Sequence, residues 1–186
     1  MRIVCFGDSN TYGYDPRSYL GDRYDGKDRW VDLLAEYTGW ECICAGVNGR
    51  EIPRSISKSC FFTDADLFLV MLGTNDLLQG SSAADAAQRM EAFLTQLLPH
   101  YPKIILVTPP PLKRGVWVQS DELITESQLL GDAYQQVARK LQIGFVDTRP
   151  WNIDLAFDGV HFSEQGHHTF ANCLLEHIRE KEVNTP

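Results

Sequence analysis

Nowhere in this chain do lysine and arginine gather. Seventeen of them are scattered among 25 aspartates and glutamates, giving a formal net charge of −8, and the densest basic stretch is LKRG at 112–115. Gripping nucleic acid or an anionic membrane requires clustered cations to neutralise phosphates, so neither is the main partner. Long apolar runs are missing too. The longest, LFLVMLG from Leu67, falls far short of the ~20 residues that cross a bilayer. The five cysteines, Cys5, Cys42, Cys44, Cys60 and Cys173, form no CxxC pair. Neither a zinc site nor a disulfide framework is expected, and buried, reduced thiols fit a cytoplasmic protein. No GxGxxG follows the first apolar run, and neither GxxxxGK[ST] nor HExxH occurs. Metal and cofactor are therefore not called for. No charged-then-apolar leader precedes Ile3, which also points to the cytoplasm.

What the chain does contain is an alternation. Short apolar runs at Ile3–Phe6, Glu41–Ala45, Leu67–Leu72, Ile104–Thr108 and Gly144–Asp147 read as parallel strands covered on both faces. Between and after them, helical spacing recurs: Trp30, Leu33, Leu34 and Tyr37; Ala86, Met90, Phe93, Leu94 and Leu97; Leu130, Tyr134, Val137, Ala138 and Leu141; and Phe170, Leu174 and Ile178. A serine in GSSAAD and Ser163 are suitable helix N-caps. Strand–helix alternation implies βαβ units, hence an α/β fold: a three-layer α/β/α sandwich around a mainly parallel five-stranded sheet. All 186 residues are expected to form one domain, with a frayed tail at about 181–186.

Ligands of open α/β sheets bind beyond the carboxyl ends of the strands. Those ends deliver GDSN at 7–10, AGVNGR at 45–50 and GTND at 73–76, and FDGVHF at 157–162 follows the last strand. A serine nucleophile needs a base, a group that orients the base, and donors for the oxyanion formed in acyl transfer. Ser9, His161 and Asp158 suit the first three roles. The candidate donors are the backbone N–H of Ser9, that of Gly49 and the side-chain amide of Asn75. Asp158 and His161 share one short loop, and the glycine between them allows the carboxylate to curl back to the imidazole.

These four blocks, in this order, resemble the signature blocks of the SGNH (GDSL-type) hydrolases. GDSNTYGYDP, DRW at 28–30 and NGR at 48–50 further resemble the arylesterase-like branch. The resemblance implies a flavodoxin-like fold and a carboxylic ester hydrolase: an esterase, lipase, thioesterase or carbohydrate deacetylase. It implies that Ser9 is the nucleophile, that Asp158 and His161 complete the triad, and that Gly49 and Asn75 line the oxyanion hole. Two departures stand out. Asn10 replaces the leucine of many members, and the second block carries Gly46 as well as Gly49. Relatives in that branch form homo-oligomers, which the resemblance therefore allows here.

Each residue also has a plainer reading. Ser9 can shape a turn, Asn75 or Asp76 can cap the following helix, and Asp8 is expected to bond its own loop. His167 and His168 read as surface residues at the start of the last helix. Tyr12, Tyr14 and Trp117 can line an acyl or aryl pocket or cover the edge of the core, and the loop at 109–120 is the candidate for setting specificity. The short polar first loop and the absence of a large apolar lid favour small acyl esters over lipid or thioester substrates. A small-molecule-binding module on the same fold, or a phosphoryl-transfer enzyme using Asp8, are the readings from other classes.

Overall fold

The computed structural model describes residues 1–18 and 20–183. Five strands form one sheet: β1 (Arg2–Gly7), β2 (Glu41–Gly46), β3 (Leu67–Met71), β4 (Ile104–Val107) and β5 (Gly144–Val146). All neighbours pair in parallel, in the order β2-β1-β3-β4-β5. Around the sheet lie α1 (Ser9–Tyr12), α2 (Trp30–Thr38), α3 (Thr74–Leu78), α4 (Ala83–Leu97), α5 (Asp121–Leu141) and α6 (Glu164–Val183). The strand runs expected from the sequence match to within a residue at either end. The tail expected at about 181–186 begins inside α6, and 184–186 lie outside the described residues.

The apolar runs are continuous because the central strands are covered on both sides. Val4 and Phe6 of β1 and Phe68 and Val70 of β3 pack with Phe93, Leu94 and Tyr134 under α4 and α5. Ile3 and Cys5, with Leu67, Leu69 and Met71, face Trp30, Leu34, Phe170 and Leu174 of α2 and α6. Burying each such aliphatic or aromatic side chain contributes about 1.5–3 kcal/mol. The helical faces read from the sequence are those that pack inward, except that Tyr37 lies at the exposed end of α2. Local signals fix the helix starts. Ser82 and Asp85 form a reciprocal capping box on α4, and Ser163 Oγ accepts the Gly166 N–H at 3.0 Å in the first turn of α6.

Neither short helix, α1 nor α3, has enough residues to show a period; α1 escapes a sequence reading, and α3 is marked only by the helix expected to follow GTND. The four-residue α1 sits directly on the ends of β1 and β2. A Cβ at Gly46 would lie 2.2 Å from Tyr12 N, and one at Gly7 would lie 2.0 Å from Thr11 Oγ1. Gly7 thus permits a close approach rather than a turn of unusual hand, and Gly46 belongs to the scaffold that seats α1.

Gly46→Ala is therefore expected to lower unfolding free energy by about 1–3 kcal/mol, because backbone has to move. Gly39→Ala, at a left-handed helix end facing open space (φ 70°), meets only the backbone penalty of about 1 kcal/mol. Urea unfolding of the two variants checks this; a larger loss for Gly39→Ala would contradict it.

Candidate active site

The order β2-β1-β3 puts a topological switch point at β1, and all three polar strand ends gather there. Asp8 is the N-cap of α1, accepting the Asn10 N–H at 3.0 Å, and Ser9 opens the helix. Ser9 N–H lies in the first turn, where helical N–H groups have no partner within the helix. Ser9, Gly49, Asn75 and His161 line one open cavity of about 270 Å³ together with Tyr14, Asn48 and Trp117.

Ser9 Oγ lies 3.0 Å from His161 Nε2, and His161 Nδ1 lies 2.6 Å from Asp158 Oδ2. The other carboxylate oxygen accepts the N–H groups of Val160 and His161 at 2.9 and 3.0 Å. Burial pushes the Asp158 carboxyl up, but the bond from the His161 ring and the two backbone N–H donors outweigh it and hold the group below its ordinary value. An ionised Asp158 keeps the proton on Nδ1 and leaves Nε2 free to accept from Ser9. This is the arrangement that lets a serine hydroxyl become a nucleophile.

The loop reaches that shape through Gly159, whose φ of 80° is left-handed and whose absent Cβ would lie 2.1 Å from Lys113 O. The long loop before α5 then pairs with this one. Lys113 N–H donates to Gly159 O and Trp117 N–H to Asp158 O, each at 3.1 Å. Trp117 is thereby set edge-on to the His161 ring, with centroids 5.2 Å apart, and Tyr14 tilts against the same ring at 4.6 Å.

Gly46 and Gly49 separate clearly. Gly46 is packed against α1, whereas Gly49 lies exposed at the cavity with a φ of 71°. Asn75 does not cap α3; its Nδ2 donates to Arg50 O at 3.1 Å. Asp76 does not cap it either, and instead accepts Ile52 N–H at 3.1 Å and pairs with Arg89 at 3.2 Å. These two neighbours tie the 49–52 segment to the end of β3. Arg50, the last residue of the NGR motif, spans the other side. Its guanidinium donates to Gly7 O and Ala45 O and lies over the Phe6 ring, 4.1 Å from its centroid.

Two expectations need correction. Tyr12 does not line the cavity; its ring carries the Arg23 guanidinium at 4.5 Å. His167 is not on the surface but fully buried, with Nδ1 accepting the first N–H of α2, from Trp30, at 3.4 Å. His168, by contrast, is partly exposed and bonds Asp28 at 3.1 Å. Asn48 lines the cavity without having been singled out. Among the described residues no cluster of three or more His, Cys, Asp or Glu could hold a metal ion, and no helix is long and apolar enough to cross a membrane.

Comparison with known proteins shows the family. The profile of the GDSL-like lipase/acylhydrolase family matches residues 5–169. The chain belongs to that family of esterase-type hydrolases, within the SGNH group. The structure is similar to the aryl esterase of M. smegmatis, with 27% identity, coverage of 96% of this chain and 98% of that one, and a TM-score of 0.83. It is also similar in fold to a carbohydrate acetylesterase from Sinorhizobium meliloti, with 22% identity, coverage of 97% and 99%, and a TM-score of 0.81. No curated protein sequence matches the chain.

Two buried groups beside the site pull stability in opposite directions with pH. Burial pushes the Asp8 carboxyl up to about 6, against the lowering influence of Asn10 N–H, His161 and Arg50. Its stabilising proton is present at low pH and lost as pH rises through about 6. Burial, followed by the charge of His168, pushes the His167 ring down to about 3. The unfolded chain protonates that ring below about 6.5, so stability is lost as pH falls from there. Near pH 5 the two slopes, each about 1 kcal/mol per pH unit, nearly cancel. Between about pH 6 and 5, His167→Gln should therefore gain about 1 kcal/mol relative to wild type, and Asp8→Asn should lose as much. Denaturant titrations at the two pH values check this; parallel profiles for all three proteins would contradict it.

Proposed function

We propose that the chain is a serine ester hydrolase acting on small acyl esters through a Ser9–His161–Asp158 triad. The observation that carries this reading is the unbroken line from Ser9 Oγ through both ring nitrogens of His161 to a buried carboxylate. Ser9 Oγ attacks the ester carbonyl while His161 Nε2 takes its proton, and Asp158 stabilises the imidazolium that forms. The N–H groups of Ser9 and Gly49 and Nδ2 of Asn75 receive the oxyanion. His161 then returns the proton to the leaving alcohol. A water molecule, deprotonated by the same ring, releases the acid from Ser9.

The small cavity supports short acyl groups, since drug-sized ligands occupy about 300–1,000 Å³. Tyr14 and the half-exposed Trp117 offer flat surfaces beside it, suited to an aryl leaving group. The same exposed indole also suits a sugar ring, which favours deacetylation of a carbohydrate as the second reading; the acetylesterase neighbour supports it. Five free thiols fit a reducing, cytoplasmic compartment.

Hydrolysis of p-nitrophenyl acetate tests the mechanism. Ser9→Ala and His161→Ala are each expected to reduce kcat by at least about a thousandfold, and Asn75→Ala by about a hundredfold. Full activity in Ser9→Ala would overturn the nucleophile. Comparison of acetyl, butyryl and octanoyl p-nitrophenyl esters should show kcat/KM falling with chain length; a preference for octanoyl would contradict the short-acyl reading. A folded wild type inactive on all these esters and on acetylated sugars would point instead to a binding protein.

A further inference from the structure

We infer that Asn10 is a positioning residue that holds the His161 loop in register with Ser9; the inference rests on the proposed triad. Asn10 follows Ser9 in α1 and is only 4% exposed. Its Nδ2 donates to Val160 O at 3.1 Å, and its Oδ1 accepts Phe162 N–H at 2.8 Å. The two bonded peptide groups flank His161 on either side. A primary amide presents a donor and an acceptor side by side, as the edge of a neighbouring strand does, so one side chain grips the loop at two points.

Asn10 is itself fixed. Its N–H donates to Asp8 Oδ1 at 3.0 Å, and its carbonyl accepts Trp30 Nε1–H at 3.0 Å. Asp158 acts differently, because its bonds to Val160, His161 and the imidazole stay within residues 158–161. They shape the loop and aim the ring but do not set where the loop lies relative to α1. The Asn10 amide crosses that gap, over a sequence separation of about 150 residues. Leucine, the residue of many members of the family, cannot make either bond. It would leave Val160 O and Phe162 N–H unpaired in a buried setting and free the loop to shift.

The test uses the full chain and p-nitrophenyl acetate. A small misplacement of a catalytic group costs turnover rather than binding, so Asn10→Leu is expected to reduce kcat about ten- to a hundredfold with KM changed less than about twofold. Placed on a His161→Ala background, the same substitution should have no further effect on residual turnover. A simple loss of structure would lower activity on both backgrounds, and a further loss there would overturn the inference. If Asn10→Leu does not fold, Asn10→Asp carries the test, since it keeps the acceptor for Phe162 N–H and, when ionised, loses the donor to Val160 O. Wild-type kcat in the folded variant would overturn the clamp. The controls separate the two levels. Activity surviving in Ser9→Ala or His161→Ala defeats the triad reading, whereas loss in those variants with wild-type kcat in Asn10→Leu defeats the clamp alone.

Discussion

A carboxylate taken out of water has to find donors, and the local structure around Asp158 follows from that need. With 1% of its surface exposed, it meets two backbone N–H groups and one imidazole within a span of four residues. Only a tight loop brings all three within reach, and Gly159 supplies the left-handed turn that closes it. The turn in turn leaves Asp158 O and Gly159 O pointing outward, where the loop before α5 pairs with them. The ring of His161 is thus oriented by a carboxylate whose own geometry is over-determined. In the proposed triad, the atoms that satisfy this buried charge are also those that hold the base in one tautomer.

The sheet supplies the other half of the site. Strands buried on both faces are fixed by packing, so their carboxyl ends form a rigid rim on which short loops differ little in position. Arg50 ties the ends of β1 and β2, while Asn75 and Asp76 tie the 49–52 segment to the end of β3. Groups from the ends of three strands, far apart in sequence, thereby surround one small volume. In the proposed mechanism, donors in such a rim are oriented before substrate arrives and stabilise developing charge with little reorganisation.

Much of this was legible in the sequence, for identifiable reasons. The strands show as apolar runs bounded by polar blocks because burial on both faces demands them. Ser9, Asp158, His161, Gly49 and Asn75 stand out because each sits in a short block at a strand end or, for Asp158 and His161, in one loop. What escaped depends on contacts between distant segments. The short helices α1 and α3 carry no period. His167 reads as a surface residue until α2 places an N–H donor above its Nδ1. Tyr12 and Tyr14 look equivalent two residues apart, yet the left-handed Gly13 between them sends one to Arg23 and the other to His161. Asn10 appeared only as a departure from leucine. Its two bonds reach residues that no local pattern links to it.

The measurement closest to the central claim is covalent titration with diethyl p-nitrophenyl phosphate. Attack by Ser9 Oγ forms an O–P bond, breaks the bond to p-nitrophenolate and transfers the serine proton to His161. The expected result is one diethylphosphoryl group per chain, mapped to the peptide containing Ser9, with esterase activity lost in proportion to labelling. Activity that persists in fully labelled protein, or that disappears with the label on another residue, would contradict the assignment of Ser9 as nucleophile.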